Sequence, residues 1–190
     1  IAQSCDVFFY EIALKTGINN IAKISKEFGL GLPTGLNLPG EKGGLIPDRD
    51  WKLREKQTVW RPGETIIAGI GQGYVLVTPM QLALMTARIA NGGKKIIPTL
   101  IKSDGKILNN FSNAAISKDN LDIIKRAMES VTLDEFGTGR TFRLGNKGVE
   151  MAGKTGTVQV RRISTTERES EDGVIKNEDR IWEWRDHALY

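Results

Sequence analysis

The chain has 190 residues, of which 39% are hydrophobic and 26% charged, and this balance is typical of one ordinary globular domain with a sizeable core. Its 27 Lys and Arg residues against 23 Asp and Glu give a formal net charge of +4, and the two signs are interspersed, which argues against a nucleic-acid partner. The sequence contains no run of 18 or more apolar residues and no charged-then-apolar leader, so it indicates no membrane-spanning or targeting segment within itself.

Two helices are predicted at the start of the chain. Residues 6–14 are dense in apolar side chains and Gly17 follows them, which predicts a short, mostly buried helix. A second helix is predicted to begin at a cap on Asn20 and to end at Gly29. Its apolar residues recur at helical spacing: Ile21, Ile24 and Phe28.

Residues 29–64 are rich in Gly and Pro and are predicted to be mostly loop. Such a long irregular segment is uncommon unless it lines a binding site, so it is consistent with a cleft and equally with a surface wrap. Residues 66–70 are predicted to form a short buried segment, which the tight turn Gly71-Gln72-Gly73 ends.

Thr78-Pro79-Met80-Gln81 predicts the start of a third helix, because it combines a Thr cap, a Pro in the first helical position and a Gln that completes a capping box. Asn91-Gly92-Gly93 is predicted to end this helix. The residues predicted to share its apolar face are Leu82, Met85 and Ile89.

Two strands are predicted next, at residues 95–102 and 106–109, around the turn Ser103-Asp104-Gly105. Ser117 is predicted to cap a further amphipathic helix that Gly137-Thr138-Gly139 interrupts. The apolar face of that helix is predicted to carry Leu121, Ile124, Met128 and Val131.

Lys154-Thr155-Gly156-Thr157 is the most informative segment. Ala152-Gly153 precedes it and Val158-Gln159-Val160 follows it, which predicts a strand that carries a cation and two hydroxyls. Such a set can bind a substrate carboxylate through charge-assisted hydrogen bonds. Residues 161–186 mix charges of both signs and are predicted to be a solvated excursion, and residues 187–190 are predicted to begin another strand.

Ser4-Cys5-Asp6 lies at the start of the first predicted helix. A Ser-x-Asp element is common by chance, and helix capping is the ordinary role of Ser and Asp at such a position. The Ser-x-Asp element is more informative because of its position: it lies near the start of a helix, and a long helix-and-loop sequence separates it from Lys154.

Taken together, these motifs resemble the transpeptidase domain of class B penicillin-binding proteins, of the penicillin-binding protein 2 type. The motifs occur in the order of that family and extend over the whole chain, which makes the joint match far more specific than any one of them. They are residues 4–10, Gly69-Ile70-Gly71-Gln72-Gly73-Tyr74, Thr78-Pro79-Met80-Gln81-Leu82-Ala83, Asn91-Gly92-Gly93, Lys154-Thr155-Gly156-Thr157 and residues 186–190.

The resemblance implies the α/β fold of the penicillin-recognising serine transpeptidases, which is β-lactamase-like. An antiparallel sheet containing the Lys154 strand would be flanked by helices, and a cleft would separate it from a helical region that contributes Ser4. The implied activity is that of a peptidoglycan D,D-transpeptidase of cell elongation, which cross-links stem peptides through a serine acyl-enzyme and is inhibited by β-lactams. A non-catalytic β-lactam sensor and a β-lactamase are the alternatives.

The resemblance also implies roles for individual residues. Ser4 and Lys154 would be catalytic, with Ser4 in the proton path to the leaving amine. Asp6 stands where the family more often has Asn, so its charge state and its role as a substrate contact remain open. The substrate-binding set would be Asp6, Lys154, Thr155, Gly156 and Thr157, and the backbone N–H of Thr157 would be one of two oxyanion donors.

The family places its nucleophile in a Ser-x-x-Lys element before the position of Ser4. Ser103-Asp104-Gly105-Lys106 has this spacing but follows Ser4 and lies in a predicted turn, so we exclude it. The chain begins at Ile1 and ends at Tyr190 in an apolar stretch. We therefore expect residues 1–190 to be a partial transpeptidase domain, truncated at both ends and inactive by itself.

The implied ligands are peptidoglycan stem peptides and β-lactams, and the implied partner is a membrane-embedded glycosyltransferase. The implied location is the periplasmic face of the inner membrane, with an anchor outside these residues. No cofactor is predicted, and no metal site, because the single Cys5 and the distant His187 fall short of a zinc signature. Cys5 is expected to be a small buried residue, and Trp182 and Trp184 could bind glycan or a partner, or anchor the excursion.

Overall fold

The computed structural model describes residues 1–36, 38–101, 111–145, 148–158, 166, 169–170 and 174–189. They form two compact units. The first, which we call the helical unit, is Cys5–Arg126, and the second, the Lys154 unit, combines Ile1–Ser4 with Ala127–Tyr190. Ser4 and Lys154 therefore belong to the same unit, and Asp6 belongs to the other.

The described residues form mainly helices. In chain order the elements are α1 (Asp6–Thr16), α2 (Ile18–Glu27), α3 (Arg49–Lys56), α4 (Pro62–Gly69), α5 (Pro79–Ala90), α6 (Lys118–Leu133), β1 (Gly156–Val158) and β2 (His187–Leu189). The two strands pair in antiparallel fashion, with Thr157 opposite Ala188. No helix in the described part of the chain is both long enough and apolar enough to cross a membrane.

Helix α1 confirms the first predicted helix but not its burial. Among its residues only Ala13 is buried, while Phe8 is 57% exposed and Val7 66% exposed. Apolar side chains occur on every side of the helix, and its main contacts among the described elements of the helical unit are with α4 and α2, so one side is covered. Cys5, which was expected to be buried, is exposed directly before this helix.

The predicted cap of the second helix is wrong. Helix α2 begins at Ile18, directly after Gly17, whose φ of +76° suits a residue without a side chain. Asn20 lies in the first turn, and its Nδ2 donates a hydrogen bond to Thr16 O at 2.8 Å. Ile24, which was predicted on the inner face, is 40% exposed. The buried residues of this face are Ile18, Ala22 and Phe28.

The predicted loop between residues 29 and 64 contains one whole helix and the start of another. Asp48 caps α3 by accepting a hydrogen bond from Trp51 N at 2.8 Å. Glu64 Oε2 accepts one from Arg61 N at 2.8 Å and stabilises the first turn of α4. Gly and Pro lie outside α3, but Pro62 and Gly63 are the first residues of α4, so the segment is mostly loop as predicted and its two helical stretches were missed. Residues 66–69 are the end of α4, where Ala68 is buried but Ile67 is 46% exposed, so the buried segment predicted there is confirmed only in part.

Helix α5 confirms its predicted capping box. Thr78 Oγ1 accepts from Gln81 N at 3.2 Å, and Gln81 Oε1 accepts from Thr78 N at 3.1 Å. The fully buried Gln81 also donates through Nε2 to Leu32 O at 2.6 Å and to Gly43 O at 2.7 Å. One glutamine therefore closes the helix start and holds the preceding loop against it.

A second polar residue, Arg88, lies on the buried side of α5. Its Nη1 donates to Glu27 O and its Nη2 to Ile96 O, both at 3.1 Å. Burial lowers the pKa of Arg88, and among the described residues its Nε has no hydrogen-bond partner. The most buried positions of α5 are therefore Gln81, Leu84 and Arg88, one residue away from the predicted apolar face.

The first strand of the hairpin was predicted at residues 95–102, and its described part, residues 95–101, is not a strand. The described residues of this region form an isolated antiparallel bridge between Lys94 and Asn113. The predicted turn, the second strand and the Ser103-to-Lys106 element lie outside the described residues.

Helix α6 confirms its prediction. Ser117 Oγ accepts from Asn120 N at 3.3 Å, and the helix ends at Leu133, before Gly137-Thr138-Gly139. In the helical unit Leu121 packs with Phe28 and Ala114 to form the core. Met85, Ile89 and Ile116 pack against this core.

Strand β1 begins later than predicted, at Gly156, so Lys154 and Thr155 precede the strand instead of lying on it. Gln159 and Val160 lie outside the described residues. Strand β2 confirms the strand predicted from residue 187, as far as residue 189. In the described part of the excursion, residues 177–179 and 182–184 form short 3-10 turns.

We expect Gln81→Ala to lower the free energy of unfolding by about 2–4 kcal/mol, because two backbone carbonyls would lose their buried donor and a cavity would remain. Chemical denaturation followed by circular dichroism measures the change. Gln72→Ala, in the turn after α4, is the control and should cost less than about 0.5 kcal/mol. Equal stability of the two variants would contradict the conclusion that Gln81 holds the preceding loop against α5.

Glu27 and Asp48 are two of the carboxylates of the helical unit whose pKa is lowered. The hydrogen bond from Lys95 Nζ, at 2.6 Å, is the main cause for Glu27. The backbone N–H of Trp51 is the main cause for Asp48. Because each pKa is lower in the folded protein, each carboxylate stabilises the fold above its ordinary pKa of about 4, and this contribution is lost as the pH falls through the folded value.

Acid should therefore destabilise the chain. We expect the melting temperature to fall steadily as the pH is lowered from about 4.5 towards 3, since the unfolded chain binds these protons more tightly. Thermal unfolding at a series of pH values measures the effect. Glu27→Gln should make the acid slope shallower, and a slope that is unchanged in this variant would refute the contribution of Glu27.

Candidate active site

The Lys154 side chain lies at the centre of the candidate site. Its Nζ donates a hydrogen bond to Ser4 Oγ at 2.6 Å, within the Lys154 unit. The same Nζ donates to Thr155 O at 2.7 Å and to Thr155 Oγ1 at 3.3 Å. The structure therefore brings together the two residues predicted to be catalytic, which lie 150 positions apart in the sequence.

Ser4 is held in an unusual backbone conformation. Its φ is +49°, in the left-handed region that residues with a side chain seldom adopt. Its N–H donates to Ile1 O at 3.2 Å, so a tight turn of residues 1–4 presents the hydroxyl. Residues with a strained backbone are often found at functional sites, and Ser4 also contacts the Lys154 ammonium.

Two contacts with α6 place the segment before β1. Gly153 N donates to Met128 O at 3.1 Å, and Thr132 Oγ1 donates to Met151 O. Gly153 is buried, whereas Lys154 is exposed and Thr155 is half-buried. The helix therefore anchors the chain on both sides of Ala152, and the polar side chains that follow face solvent.

The other predicted substrate-binding residues lie on β1. Gly156 and Thr157 are exposed at the start of the strand, and the register with β2 fixes their backbone. Asp6 is the first residue of α1 and is exposed. Because Asp6 belongs to the helical unit, its assignment as a substrate contact stays a prediction.

Thr138 is a residue of this site that the sequence analysis missed. Its N–H donates to Ala2 O at 3.0 Å, and its Oγ1 lies 3.0 Å from Thr155 Oγ1. In the sequence, Gly137-Thr138-Gly139 was predicted only to interrupt α6. A Thr between two Gly residues was the available signal, since a polar residue in such a turn is often presented to a site.

The described residues contain no group of three or more His, Cys, Asp or Glu side chains that could hold a metal ion. The ring of His187 lies against Trp182, with ring centroids 5.0 Å apart. The described donor set of the site is therefore an ammonium and hydroxyls, which suits recognition of an anion and proton transfer.

Comparison with known proteins identifies the family of the chain. The family model described as the penicillin-binding protein transpeptidase domain matches residues 1–176. The chain belongs to this family. The family resemblance that the motifs indicated is thus confirmed, and so is the fold it implied, as an incomplete penicillin-binding fold that is rich in helix and has a small antiparallel sheet.

The chain is similar to proteins of the penicillin-binding protein 2 type. Peptidoglycan D,D-transpeptidase MrdA of Acinetobacter baumannii is 35% identical over 196 residues, which cover 100% of this chain and 28% of MrdA. A crystal structure of Pseudomonas aeruginosa PBP2 in complex with WCK 5153 has a TM-score of 0.77 at 40% identity, and the match covers 85% of this chain and 38% of that chain.

A third similar chain comes from a structure of a peptidoglycan synthase complex that coordinates polymerization and crosslinking. Its TM-score is 0.69 at 36% identity, with 84% of this chain and 27% of that chain covered. The chain thus spans less than a third of the MrdA relative's length.

Gly137 sets the position of the Thr138 loop. A Cβ at Gly137 would clash with the carbonyl oxygen of Val131 at the end of α6. We expect Gly137→Ala to lower the free energy of unfolding by about 1–3 kcal/mol, because the backbone cannot move aside without breaking contacts. Thermal or denaturant unfolding measures the change.

Gly145→Ala is the matched control in the same unit. A Cβ at Gly145 would meet no heavy atom of the described residues within 4 Å, chain neighbours aside, and the backbone there is not left-handed. Its stability should match that of the parent within about 0.5 kcal/mol. If both alanine variants proved equally stable, close packing of Gly137 against α6 would be refuted.

Proposed function

We propose that this chain is part of a peptidoglycan D,D-transpeptidase, which cross-links stem peptides through a serine acyl-enzyme and which β-lactams inhibit. The observation that carries the proposal is the 2.6 Å hydrogen bond from Lys154 Nζ to Ser4 Oγ in a chain of the penicillin-binding transpeptidase family. The name of the MrdA relative supports this activity.

Carboxylate recognition is the proposed task of Lys154, Thr155 and Thr157. A stem peptide that ends in D-Ala-D-Ala and a β-lactam both present a carboxylate, and an ammonium with nearby hydroxyls binds this group strongly. Gly156 has no side chain, so a ligand can approach the backbone of β1 closely. The N–H of Thr157 is proposed as one of the two oxyanion donors.

Proton transfer is the proposed task of Ser4. A serine hydroxyl has two acceptor lone pairs and one donor proton. When Ser4 Oγ accepts from Lys154 Nζ, its own proton remains able to donate to the leaving amine, and its second lone pair can accept the proton of the nucleophile. The nucleophile itself is proposed to lie in a Ser-x-x-Lys element before Ser4, and Asp6 is proposed as a further substrate contact.

The proposal extends to location and partner. We place the protein at the periplasmic face of the inner membrane, anchored by a segment outside these residues, where it would serve cell elongation. A glycan-polymerising glycosyltransferase is the proposed partner, because a similar chain occurs in a synthase complex that coordinates polymerization and crosslinking. The sensor alternative has no comparable support, since the MrdA relative is named as an enzyme.

Replacement of Lys154 tests the proposed carboxylate site. In a full-length protein that carries these residues together with the upstream Ser-x-x-Lys element, we expect Lys154→Ala to lower the rate constant of acylation by a fluorescent penicillin about 10- to 100-fold. This is the loss expected when a charge-assisted hydrogen bond is removed. The labelled protein is quantified on gels over time.

Lys118→Ala provides the matched control for this experiment. Lys118 is an exposed lysine at the start of α6 to which no role in the site is assigned, and its removal should leave acylation unchanged. If Lys154→Ala acylates at the rate of the parent, Lys154 does not bind the carboxylate and the proposed function of this site is wrong.

A further inference from the structure

The hydroxyl of Thr138 contacts the residue that is proposed to bind the substrate carboxylate. Thr138 Oγ1 lies 3.0 Å from Thr155 Oγ1, and both residues belong to the Lys154 unit. Thr138 is exposed, so its side chain reaches Thr155 from the surface and does not serve to fill the core. This contact has no part in the roles proposed above.

The number of hydrogen bonds that Thr155 Oγ1 can accept and donate indicates which of the two hydroxyls is the donor. A threonine hydroxyl can accept two hydrogen bonds and donate one. Lys154 Nζ, at 3.3 Å, is a donor only and therefore takes one acceptor position of Thr155 Oγ1. If Thr138 also donates, both acceptor positions are filled, and the proton of Thr155 is directed away from Lys154 and Thr138.

If Thr155 were the donor to Thr138, the site would lose a hydrogen-bond donor for the substrate. If Thr155 donated to Thr138, the only proton of Thr155 would be used within the protein. Its hydroxyl could not then donate to a carboxylate, which has acceptors only. A substrate-binding Thr155 therefore requires Thr138 to be the donor of the pair.

We propose that Thr138 is a positioning residue that orients the Thr155 hydroxyl as a donor to the substrate carboxylate. The inference rests on the proposed function and adds a residue to that site. Thr138 acts through Thr155, and its effect is to hold one proton in the direction that the ligand needs before the ligand arrives.

The backbone holds Thr138 independently of its hydroxyl. Its N–H donates to Ala2 O at 3.0 Å, and the N–H of the buried Gly139 donates to Val131 O at 2.9 Å. Both are main-chain contacts. Thr138→Ala therefore removes the hydroxyl and leaves the contacts that place the loop, so a change in binding can be separated from a change in folding.

The experiment compares two fluorescent penicillins, one with a free carboxylate and one whose carboxylate is a methyl ester. Acylation is measured over a range of probe concentrations, so that the affinity of the first non-covalent complex is separated from the rate of the covalent step. The full-length protein is compared with its Thr138→Ala, Thr138→Ser and Lys154→Ala variants. Thr86→Ala, at an exposed threonine of α5, is the control.

We expect Thr138→Ala to weaken the affinity for the free-carboxylate probe about 3- to 10-fold, the range for loss of one neutral hydrogen bond. The affinity for the ester should change less than twofold, because the ester has no anion to bind. Thr138→Ser should restore the affinity, and Thr86→Ala should match the parent. Melting temperatures confirm that every variant is folded.

Four results would overturn the inference: unchanged affinity in Thr138→Ala, tighter binding, an equal loss for both probes, or failure of Thr138→Ser to restore binding. Tighter binding would mean that Thr155 donates to Thr138.

Lys154→Ala separates this inference from the proposed function. If Lys154→Ala loses the preference for the free carboxylate and Thr138→Ala keeps this preference, only the role of Thr138 is wrong. If both variants keep the preference, the carboxylate site itself is wrong.

Discussion

The hydrogen bond from Lys154 Nζ to Ser4 Oγ joins the beginning of the chain to the segment before β1. It requires that two backbone segments be fixed separately. A turn with a left-handed Ser4 presents the hydroxyl, and the contact of Gly153 N with Met128 O on α6 places the lysine. The ammonium can then meet the serine oxygen with little further loss of conformational freedom, and such preorganisation favours both binding and proton transfer.

The helical unit shows how a chain rich in Gly and Pro is kept in place. The buried Gln81 donates to two loop carbonyls, and the buried Arg88 donates to the carbonyl of Glu27, at the end of α2, and to that of Ile96. Burying such polar side chains costs free energy unless they are hydrogen-bonded, and here each one satisfies backbone groups that would otherwise lack partners. The irregular segments are therefore held by hydrogen bonds from α5 as well as by apolar packing.

Most of the local signals in the sequence predicted local structure correctly, although the cap predicted at Asn20 was wrong. The capping box at Thr78, the cap at Ser117 and the turn at Gly71 involve residues only a few positions apart, and each forms as predicted. Predictions of burial failed more often, as at Phe8 and Ile24. Burial depends on which other elements cover a helix, and the pattern within one helix carries no such information. Helix α3 was missed because Gly and Pro were counted over a segment without regard to where they lie.

The sequence by itself determined the family and pointed to Ser4 and Lys154, because these residues and their flanking motifs form a pattern of residue types and order. It could not determine which of these residues touch. The contact between Ser4 and Lys154 spans 150 positions, and the contact between Thr138 and Thr155 spans 17, so each depends on how the intervening chain folds. Only the tertiary structure revealed Thr138 as a neighbour of Thr155, because a side-chain hydrogen bond between distant segments leaves no local trace in the sequence.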